Sequence, residues 1–429
     1  MTAVAAVTAL MVALLLIGVP VAVATGVAGA IGLYWVQGAD VVIGLIASSP
    51  YRNTAAWLLT AIPLFILMAE MLAQSRVTTM LFDSANRWVS HLPGGLAIST
   101  VIASAGLGAI LGSSTASTAA LTQSVVPELL RHGYARAFAL GTVAAAGTLA
   151  IMIPPSVILV IYGIMTEQSI GKLFIAGIIP GLLTALGYVV TILAWVHYAP
   201  QIAPRAALHS WHERFSGLNG VWPMLVLFVL VIGGIYSGVT TVTESAALGA
   251  AGAIALAALS MRAAVIPALS AALGKTVNTT AMIFAIIVGA SMFGFFLTMT
   301  GVAQGLLEFV GALGWPPALL LVVVLVIYLI LGCIMDQLAI LVLTIPISYP
   351  MLTQLGYDPI WIGIIITKTV EIGLITPPVG MNAFVASSIS GARAEEVFRG
   401  TGPFVITEIV LLVLLAMFPG MVTWVNTVN

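Results

Sequence analysis

Two pairs of adjacent prolines, Pro154-Pro155 and Pro377-Pro378, interrupt long apolar stretches of the chain. Proline lacks a backbone N–H and clashes with the preceding helical turn, so each pair should break the helix that contains it. Within a lipid bilayer, such a break persists only where the freed backbone groups line a polar site. The chemistry that these groups offer is ion binding, because unwound carbonyls coordinate cations and the N-terminus of a half-helix faces anions.

Two further polar interruptions occur in apolar stretches, at "LGSSTAST" (111–118) and "LGCIMDQLA" (331–339). On its own, a Gly-Ser-Ser sequence in a membrane segment more often indicates helix packing than an ion site. The second interruption contains Asp336, whose charge is costly at membrane depth and therefore indicates function. We expect Asp336 to be either a cation ligand or the cap of a helix.

A few other polar side chains lie in or beside apolar stretches. Lys368 and Glu371 are within one helical turn of each other and are expected to pair or to face a partner. Asn382 follows the second proline pair and is expected either to contact substrate or to fasten the break. Glu244 is expected to cap a helix begun by Thr243, with a functional role as the alternative.

The sequence gives little support for catalysis. The carboxylates well inside apolar segments are Glu70, Asp336, Glu371 and Glu408, and the five histidines all fall in or near loops. The single cysteine, Cys333, excludes an internal disulfide and does not support a zinc cluster. We therefore predict that the chain is not an enzyme.

The composition is that of a protein embedded in a bilayer. Of the 429 residues, 61% are hydrophobic and only 6% are charged, whereas soluble domains carry about 25% charged residues. The net charge of −1 provides no basic surface for nucleic acid. The first apolar run has no basic flank and continues past the length of a signal, so no cleavable signal peptide is expected.

The apolar segments show where the chain can cross the bilayer, since one crossing needs about 20 residues. Eight of these apolar segments are 56–74, 137–165, 173–199, 219–238, 243–261, 276–298, 360–391 and 403–425. Two segments, 95–130 and 317–350, are too long for one crossing and contain the polar interruptions, so each is one very tilted helix, two crossings or a re-entrant hairpin. The segment 3–35 forms one crossing or two, because Gly18-Val19-Pro20 can divide it.

A shift of 223 residues superimposes the two halves of the sequence. All five prolines between positions 93 and 180 fall on prolines, and the Gly-Tyr pair at 133–134 falls on the pair at 356–357. The matched proline positions are 93 and 316, 127 and 350, 154 and 377, 155 and 378, and 180 and 403. The same shift places Ser113 on Asp336, so the two polar interruptions correspond. The sequence therefore predicts an internal duplication.

Basic residues indicate that the two copies have opposite orientations in the membrane. The loops 75–92 and 131–136 contain four arginines, whereas their counterparts 299–315 and 352–359 contain no lysine or arginine. Cytoplasmic loops are rich in these residues. With both long segments as hairpins, ten basic residues lie on the cytoplasmic side, and only Arg52 and Lys172 lie outside. The length of the two segments, rather than charge, favours hairpins.

These features predict an all-α polytopic membrane protein with an inverted-topology repeat, two re-entrant helical hairpins and two helices broken at Pro-Pro. The predicted parts are an N-terminal scaffold of one or more helices (1–55), a first repeat (56–199), linking helices (200–275) and a second repeat (276–429). The hairpins are 95–130 and 317–350, the broken helices are 137–165 and 360–391, and a C-terminal helix follows. This is the architecture of secondary transporters, with the four breaks meeting at one site that has two cation positions beside it.

Several longer motifs resemble one transporter family. They are the Gly-Ser-Ser tip, "LPGGLA" (92–97), "IPPSVILVIYGI" (153–164), "IGKLFIAGIIPG" (170–181), "TVTESAALGA" (241–250) and "LITPPVGMNAFVASSISG" (374–391). From about Pro63 to Pro419, the chain resembles the large membrane subunit of the tripartite ATP-independent periplasmic (TRAP) transporters. The resemblance implies sodium-driven import of organic anions across a bacterial inner membrane. It also implies a small membrane subunit, an extracytoplasmic substrate-binding protein and an elevator-like transport domain that moves against a fixed scaffold.

The resemblance further implies two sodium sites. The first comprises the tip residues Gly112, Ser113 and Ser114 with the carbonyls of Ala150, Ile153 and Pro155, and the second comprises Gly332 and Asp336 with Gly373, Thr376 and Val379. The candidate substrate contacts are Ser114, Thr115, Thr376 and Asn382. The chain departs from the family pattern at Ala150, where members commonly have glycine, and at Ser117, where the first tip often ends in aspartate.

A passive channel and a self-sufficient carrier are two alternatives to a tripartite importer. A passive channel fits less well, because re-entrant tips and broken helices suit alternating access. A self-sufficient sodium/carboxylate carrier of the same superfamily is the closer alternative, and neighbouring genes for the partner proteins would distinguish the two. The sequence does not identify the transported anion.

Overall fold

Helices are the regular structure of the chain in the computed structural model, which describes residues 2–75, 77–204, 209–218, 221–261, 264–302, 304–306, 308 and 314–427. No strand occurs among these residues. Seven of the helices are long and apolar enough to cross a membrane, judged by length and composition. The predicted all-helical membrane fold is confirmed.

The N-terminal segment 3–35, for which the sequence allowed one crossing or two, contains two helices that pack together. The N-terminal helices are α1 (Thr2–Leu16), α2 (Val21–Gln37) and α3 (Ala39–Thr54). Pro20 precedes α2 and Gly18 has a φ of +86°, a left-handed conformation that favours glycine. The turn between α1 and α2 therefore falls where the sequence contains Gly18-Val19-Pro20.

The first repeat contains the predicted hairpin and broken helix. Its helices are α4 (Ala61–Gln74), α5 (Val77–Val89), α6 (Gly95–Leu111), α7 (Ser114–Ser124), α8 (Val126–Arg131), α9 (Arg136–Met152), α10 (Val157–Thr166) and α11 (Ile170–Tyr198). Helices α6 and α7 form the first hairpin, and α9 and α10 are the halves of the first broken helix. The predicted loop 75–92 is largely helical, because α5 occupies most of it.

The second repeat follows a group of linking helices. These linking helices are α12 (Trp211–Gly217), α13 (Trp222–Phe228), which continues through a π-helical turn (Val229–Gly233) into α14 (Gly234–Tyr236), and α15 (Val242–Met261). The helices that follow are α16 (Val265–Met299), α17 (Pro317–Gly332), α18 (Gln337–Gln354), α19 (Pro359–Leu374), α20 (Met381–Ser390), α21 (Ala394–Met417) and α22 (Gly420–Thr423). Helices α17 and α18 form the second hairpin, and α19 and α20 are the halves of the second broken helix.

The linking region passes into the second repeat within one helix. Helix α16 is continuous over 35 residues, so it includes most of the predicted loop 262–275 and the predicted boundary at 275/276. Lys275, whose charge suggested a loop, is accommodated on the helix surface, where its Nζ lies 3.4 Å from Glu70 Oε2. The loop prediction is therefore wrong from Val265 onward. Three of the arginines used for the charge argument lie outside the described residues: Arg76, Arg205 and Arg262.

The order of helices in the first repeat recurs in the second. The second helix of each hairpin begins at Ser114 and at Gln337, which are 223 residues apart. The residue before each of these helices, Ser113 or Asp336, is its N-cap and accepts a hydrogen bond from the first turn. The predicted duplication therefore extends to matching helices and matching caps.

Glycine residues allow α2 and α16 to approach closely. A Cβ at Gly29 would lie 2.5 Å from the Phe293 nitrogen, and a Cβ at Gly289 would lie 2.1 Å from the Ala22 carbonyl oxygen. Small residues are expected at such an interface, because helices in lipid associate through close packing rather than through the hydrophobic effect. The N-terminal helices are attached to α16 in this way.

The first halves of the two broken helices form the centre of the protein. Every residue of α9 from Phe138 to Met152 is buried, and so is every residue of α19 from Ile360 to Leu374. Helix α9 is apolar or small on all sides, as expected inside a large helical protein, whereas α19 also buries polar residues, among them Lys368 and Glu371. The last turns of α9 and α19, which lead into the two Pro-Pro breaks, are therefore interior.

Candidate ion and substrate site

The first break leaves backbone oxygens without helical partners. Helix α9 ends at Met152 and α10 begins at Val157. The carbonyls of Ala150 and Ile151 would accept hydrogen bonds from the residues four positions later, which are prolines and have no N–H. The Pro154-Pro155 sequence thus frees two carbonyls at the end of a buried helix.

The tip of the first hairpin lies directly against this break. Gly112 has a φ of +55°, and a Cβ at this position would lie 2.8 Å from the Pro155 carbonyl oxygen. One turn earlier, a Cβ at Gly108 would lie 3.0 Å from the Ala150 Cα. The structure therefore brings together Gly112, Ala150 and Pro155, which the family resemblance assigns to one site.

The second hairpin tip and the second break are in equally close contact. A Cβ at Gly373 would lie 2.5 Å from both the Cα and the carbonyl carbon of Gly332. The backbone N–H groups of Val379 and Gly380 donate to the Cys333 carbonyl at 3.1 and 3.0 Å. Gly332, Gly373 and Val379 are therefore neighbours, as the predicted second site requires.

The N-caps of the two hairpin helices complete the tips. Asp336 accepts a hydrogen bond from the Leu338 N–H at 3.0 Å, and Ser113 accepts one from the Ala116 N–H at 3.5 Å. The capping alternative for Asp336 is thus observed, and its role as a cation ligand stays a prediction.

A side-chain hydrogen bond links the second break to the first tip. Asn382 Nδ2 donates to Ser114 Oγ at 2.5 Å and to the Ala144 carbonyl at 3.2 Å. Asn382 and Ser114 are both fully buried, so in this structure Asn382 fastens the break, and its contact with substrate stays a prediction. The Oδ1 atom of Asn382 is buried without a hydrogen-bond partner, which marks a polar position between the two repeats.

The other two candidate substrate contacts are less buried. Thr115 Oγ1 lies 3.2 Å from Ser113 Oγ at the first tip. Thr376 Oγ1 donates to the Ile372 carbonyl at 2.5 Å, so its hydroxyl is turned back onto α19. Ile153, the remaining predicted ligand, has extended backbone angles directly after α9. The predicted site residues therefore fall into two tip-and-break pairs joined through Asn382.

Comparison with known proteins identifies the family of the chain. The family model described as "Tripartite ATP-independent periplasmic transporter, DctM component" matches residues 8–421. The chain belongs to this family.

Relatives in this family align with the chain over most of their length. It is 38% identical to the C4-dicarboxylate TRAP transporter large permease protein DctM of Pseudomonas aeruginosa over 376 residues, which are 87% of each protein. It is 32% identical to the ectoine TRAP transporter large permease protein TeaC of Halomonas elongata over 96% of each protein. The resemblance to the large TRAP membrane subunit is confirmed, and the chain is a multi-pass protein of the bacterial inner membrane.

A solved structure shares the fold of this chain. The Alcanivorax borkumensis YdaH transporter matches with a TM-score of 0.59 over 90% of each chain, at 15% sequence identity. At this identity the likeness concerns the fold alone. The relatives named above are permeases, which agrees with the prediction that this chain is not an enzyme.

The two breaks differ in burial and in local backbone. Pro154 and Pro155 are buried, whereas Pro377 and Pro378 are exposed. Helix α9 ends two residues before Pro154, whereas α19 ends three residues before Pro377. Helix α10 begins after Ser156, which is extended, whereas α20 begins after Gly380, which is left-handed.

Sequence reasoning anticipated part of a buried ionic group and missed the rest. Lys368 and Glu371 pair at 2.9 Å, as expected, but Lys368 also pairs with Glu408, which lies 40 residues later than Lys368 on α21. The isolated charge of Glu408 in an apolar helix was the available signal, because a membrane carboxylate requires a partner. The sequence did not identify Lys368 as the partner of Glu408, because Lys368 lies on another helix, α19.

The prediction for Glu244 requires a correction. Helix α15 begins at Val242, and its cap is Thr241, which accepts from the Glu244 N–H at 3.3 Å. The Glu244 carboxylate in turn accepts from the Thr241 N–H at 2.7 Å. This reciprocal arrangement is a capping box, so Glu244 stabilises the start of the helix from inside its first turn.

Proposed function

We propose that the chain is the transport subunit of a sodium-coupled importer for a small organic anion. It works with a small membrane subunit and an extracytoplasmic substrate-binding protein, as the three-part architecture of the family suggests. Two hairpins and two broken helices form a transport domain that moves, elevator-like, against the rest of the chain. Energy comes from the inward movement of sodium, for which the proposal assigns two positions.

The observation that carries this proposal is the docking of each hairpin tip on a broken helix. At the first contact the Pro155 carbonyl oxygen faces Gly112, and at the second the Val370 carbonyl oxygen lies beside Gly332. Carbonyl oxygens are among the ligands that hard cations prefer. Among the described residues, no group of three or more His, Cys, Asp or Glu side chains could hold a metal ion, so the proposed donors are carbonyls, hydroxyls and the Asp336 carboxylate. Two such places, one in each repeat, support binding of two sodium ions.

The residues that would hold sodium are those that the sequence assigned. At the first position they are Gly112, Ser113, Ser114, Ala150, Ile153 and Pro155, and at the second they are Gly332, Asp336, Gly373, Thr376 and Val379. The fit rests on two features: Pro154 and Pro155 leave the Ala150 and Ile151 carbonyls without their helical partners, and the tip glycines admit backbone within contact distance. Bound sodium would supply positive charge beside the substrate, while the protein residues fix where that charge lies.

The helix N-termini at the two tips and the two breaks support the proposal that the substrate is an anion. Helices α10 and α20 start directly after the two breaks, and α7 and α18 start at the two tips. The N-terminus of a helix carries partial positive charge and unpaired N–H groups, which favour a carboxylate. The two relatives compared above are named for C4-dicarboxylates and for ectoine, and both kinds of compound contain carboxylate.

The division into a scaffold and a moving domain is supported by the packing. Glycines attach α2 closely to α16 outside the two tip-and-break pairs. Each hairpin tip, in contrast, packs on a broken helix, and Asn382 joins the two repeats at that place. The contacts between tips and breaks allow these elements to move together, with the ions and the substrate held among them.

The test is transport in proteoliposomes with defined components. The chain is reconstituted alone, with the small membrane subunit, and with both that subunit and the loaded binding protein, under an inward sodium gradient. We expect uptake of a C4-dicarboxylate or another cognate carboxylate only in the complete system, and none when potassium replaces sodium. Strong uptake by the chain alone would support the self-sufficient carrier, and uptake that ignores sodium would refute sodium coupling.

A further inference from the structure

A second polar cluster lies away from the hairpin tips, in the interior of the protein. It contains three ionisable side chains and three hydroxyls, all of them buried: Lys368, Glu371, Glu408, Thr148, Thr184 and Tyr188. We call these six residues the buried network. They come from four helices, α9 and α11 of the first repeat and α19 and α21 of the second.

Lys368 is the centre of the buried network. Its Nζ donates to Glu371 Oε2 at 2.9 Å and to Thr184 Oγ1 at 2.7 Å, and it also pairs with Glu408. Glu408 accepts a hydrogen bond from the Tyr188 hydroxyl. One lysine therefore connects α19 to both α11 and α21.

The first broken helix is connected to the buried network through one hydroxyl contact. Tyr188 OH lies 3.0 Å from Thr148 Oγ1 on α9, in addition to its bond with Glu408. Because the Tyr188 proton goes to Glu408, Thr148 is the donor in this contact, and the Ala145 carbonyl, 2.8 Å from Thr148 Oγ1, is a second acceptor for the same hydroxyl proton. Among the described side chains of the network, Tyr188 is thus the bridge between α9 and the charges.

The sequence positions of Thr148 and Glu371 relate the buried network to both breaks. Thr148 lies two residues before Ala150, and Glu371 lies two residues before Gly373. Thr148 and Glu371 are themselves equivalent, because they are 223 residues apart. The helical turn that leads into each proposed sodium position is therefore attached to the same buried network.

Stability alone does not account for such an arrangement. Removing charges from water is costly, and a buried ion pair is often no more stabilising than apolar side chains of similar volume. The same helices already pack through aromatic side chains, with the rings of Tyr188 and Phe404 5.3 Å apart. What charges and hydroxyls add is direction, since their contacts persist only at a narrow range of distances and angles.

We propose that the buried network is a positioning device that couples the two sodium positions, with Tyr188 and Thr148 as its link to the first break. Through this link, an ion at one break favours the backbone arrangement that binds an ion at the other. The proposal rests on the proposed function, because it assumes that both breaks bind sodium. It adds the residues through which the two positions are coupled.

The test uses two substitutions of one residue that change opposite properties. Thr148→Val keeps the shape of the side chain and removes its hydroxyl, whereas Thr148→Ser keeps the hydroxyl and removes a methyl group. Tyr188→Phe removes the same link from the other side while keeping the ring. Thr191→Val is the matched control, because Thr191 Oγ1 contacts Thr407 Oγ1 at 2.5 Å between the same helices, α11 and α21, without touching the buried network.

The measurement is the sodium dependence of thermal unfolding of the purified full chain in detergent, and of uptake by the complete system. For Thr148→Val and Tyr188→Phe we expect a half-saturating sodium concentration raised about two- to tenfold, the range for one lost hydrogen bond. We also expect the steepness of the sodium curve to fall toward that of independent sites. Thr148→Ser and Thr191→Val should retain the wild-type curve.

The possible outcomes separate this inference from the proposed function. If the wild type responds to sodium and Thr148→Val keeps its curve, the coupling role is refuted while sodium transport stands. If Thr148→Ser is as impaired as Thr148→Val, packing rather than the hydroxyl is responsible, and the inference is equally refuted. A wild type that does not respond to sodium would overturn both proposals.

Discussion

Replacing Gly373 by alanine tests the closest contact at the proposed second sodium position. Gly373 lies on the last turn of α19, and its Cα faces the backbone of Gly332 at the end of α17. A Cβ there would lie 2.5 Å from two backbone atoms of Gly332 and 2.9 Å from the Cys333 nitrogen. Because all three atoms belong to the main chain, no side chain can rotate away to make room.

The size of the required movement follows from these distances. Ordinary contact begins at 3.4 Å, so the tip and the break must separate by about 0.9 Å. Overpacking of this kind costs about 1–3 kcal/mol, and about 1 kcal/mol returns because alanine is the better helix former. The net loss of stability is therefore small, whereas oxygen–cation distances tolerate changes of only about 0.3 Å. Loss of a single ligand contact worth about 1.4 kcal/mol weakens binding about tenfold.

The assay compares Gly373→Ala with Gly402→Ala. Gly402 also lies within a helix, α21, but a Cβ there would meet nothing within 4 Å. We expect Gly373→Ala to raise the half-saturating sodium concentration for uptake at least about tenfold, and Gly402→Ala to leave it unchanged. Thermal unfolding without sodium should show folded protein for both variants. Folded Gly373→Ala protein with the wild-type sodium dependence would refute the assignment of this contact to a sodium site.

Two further predictions follow from the topology and from Asp336. In a Cys333→Ser background, an impermeant thiol reagent applied to intact cells should label Gln354→Cys and spare His132→Cys, and equal labelling would contradict the opposite orientation of the two repeats. Asp336→Asn retains an N-cap oxygen for the Leu338 N–H and removes only the charge, so it should raise the half-saturating sodium concentration for uptake about threefold or more if the charge assists sodium binding. Unchanged sodium dependence would leave Asp336 as a cap alone.

Local features of the fold could be predicted from the sequence because proline acts locally. Each Pro-Pro pair removes two helical hydrogen bonds wherever it occurs, so the ends of α9 and α19 were visible in the sequence. The 223-residue shift also related Ser113 to Asp336, and both prove to be N-caps. These predictions needed only the types of residues and their spacing.

Contacts between distant helices could not be predicted in the same way. The pairing of Lys368 with Glu408 joins α19 to α21, and the hydrogen bond from Asn382 to Ser114 joins the two repeats. Both depend on how helices cross, which periodicity does not specify. The loop predicted around Lys275 failed for a related reason, since a charged residue can remain in a continuous helix when Glu70 of α4 lies beside it.

The unequal burial of the two breaks connects the duplication to transport. Pro154 and Pro155 are buried, while Pro377 and Pro378 are exposed. Two halves with similar sequences can each adopt the conformation of the other at little difference in energy, so an exchange of conformations between them is an accessible change. If the halves have opposite orientations in the membrane, that exchange would bury the second break, expose the first and move the opening to the other side. We therefore propose that the structure is one state of an alternating-access cycle in which the two breaks exchange their burial.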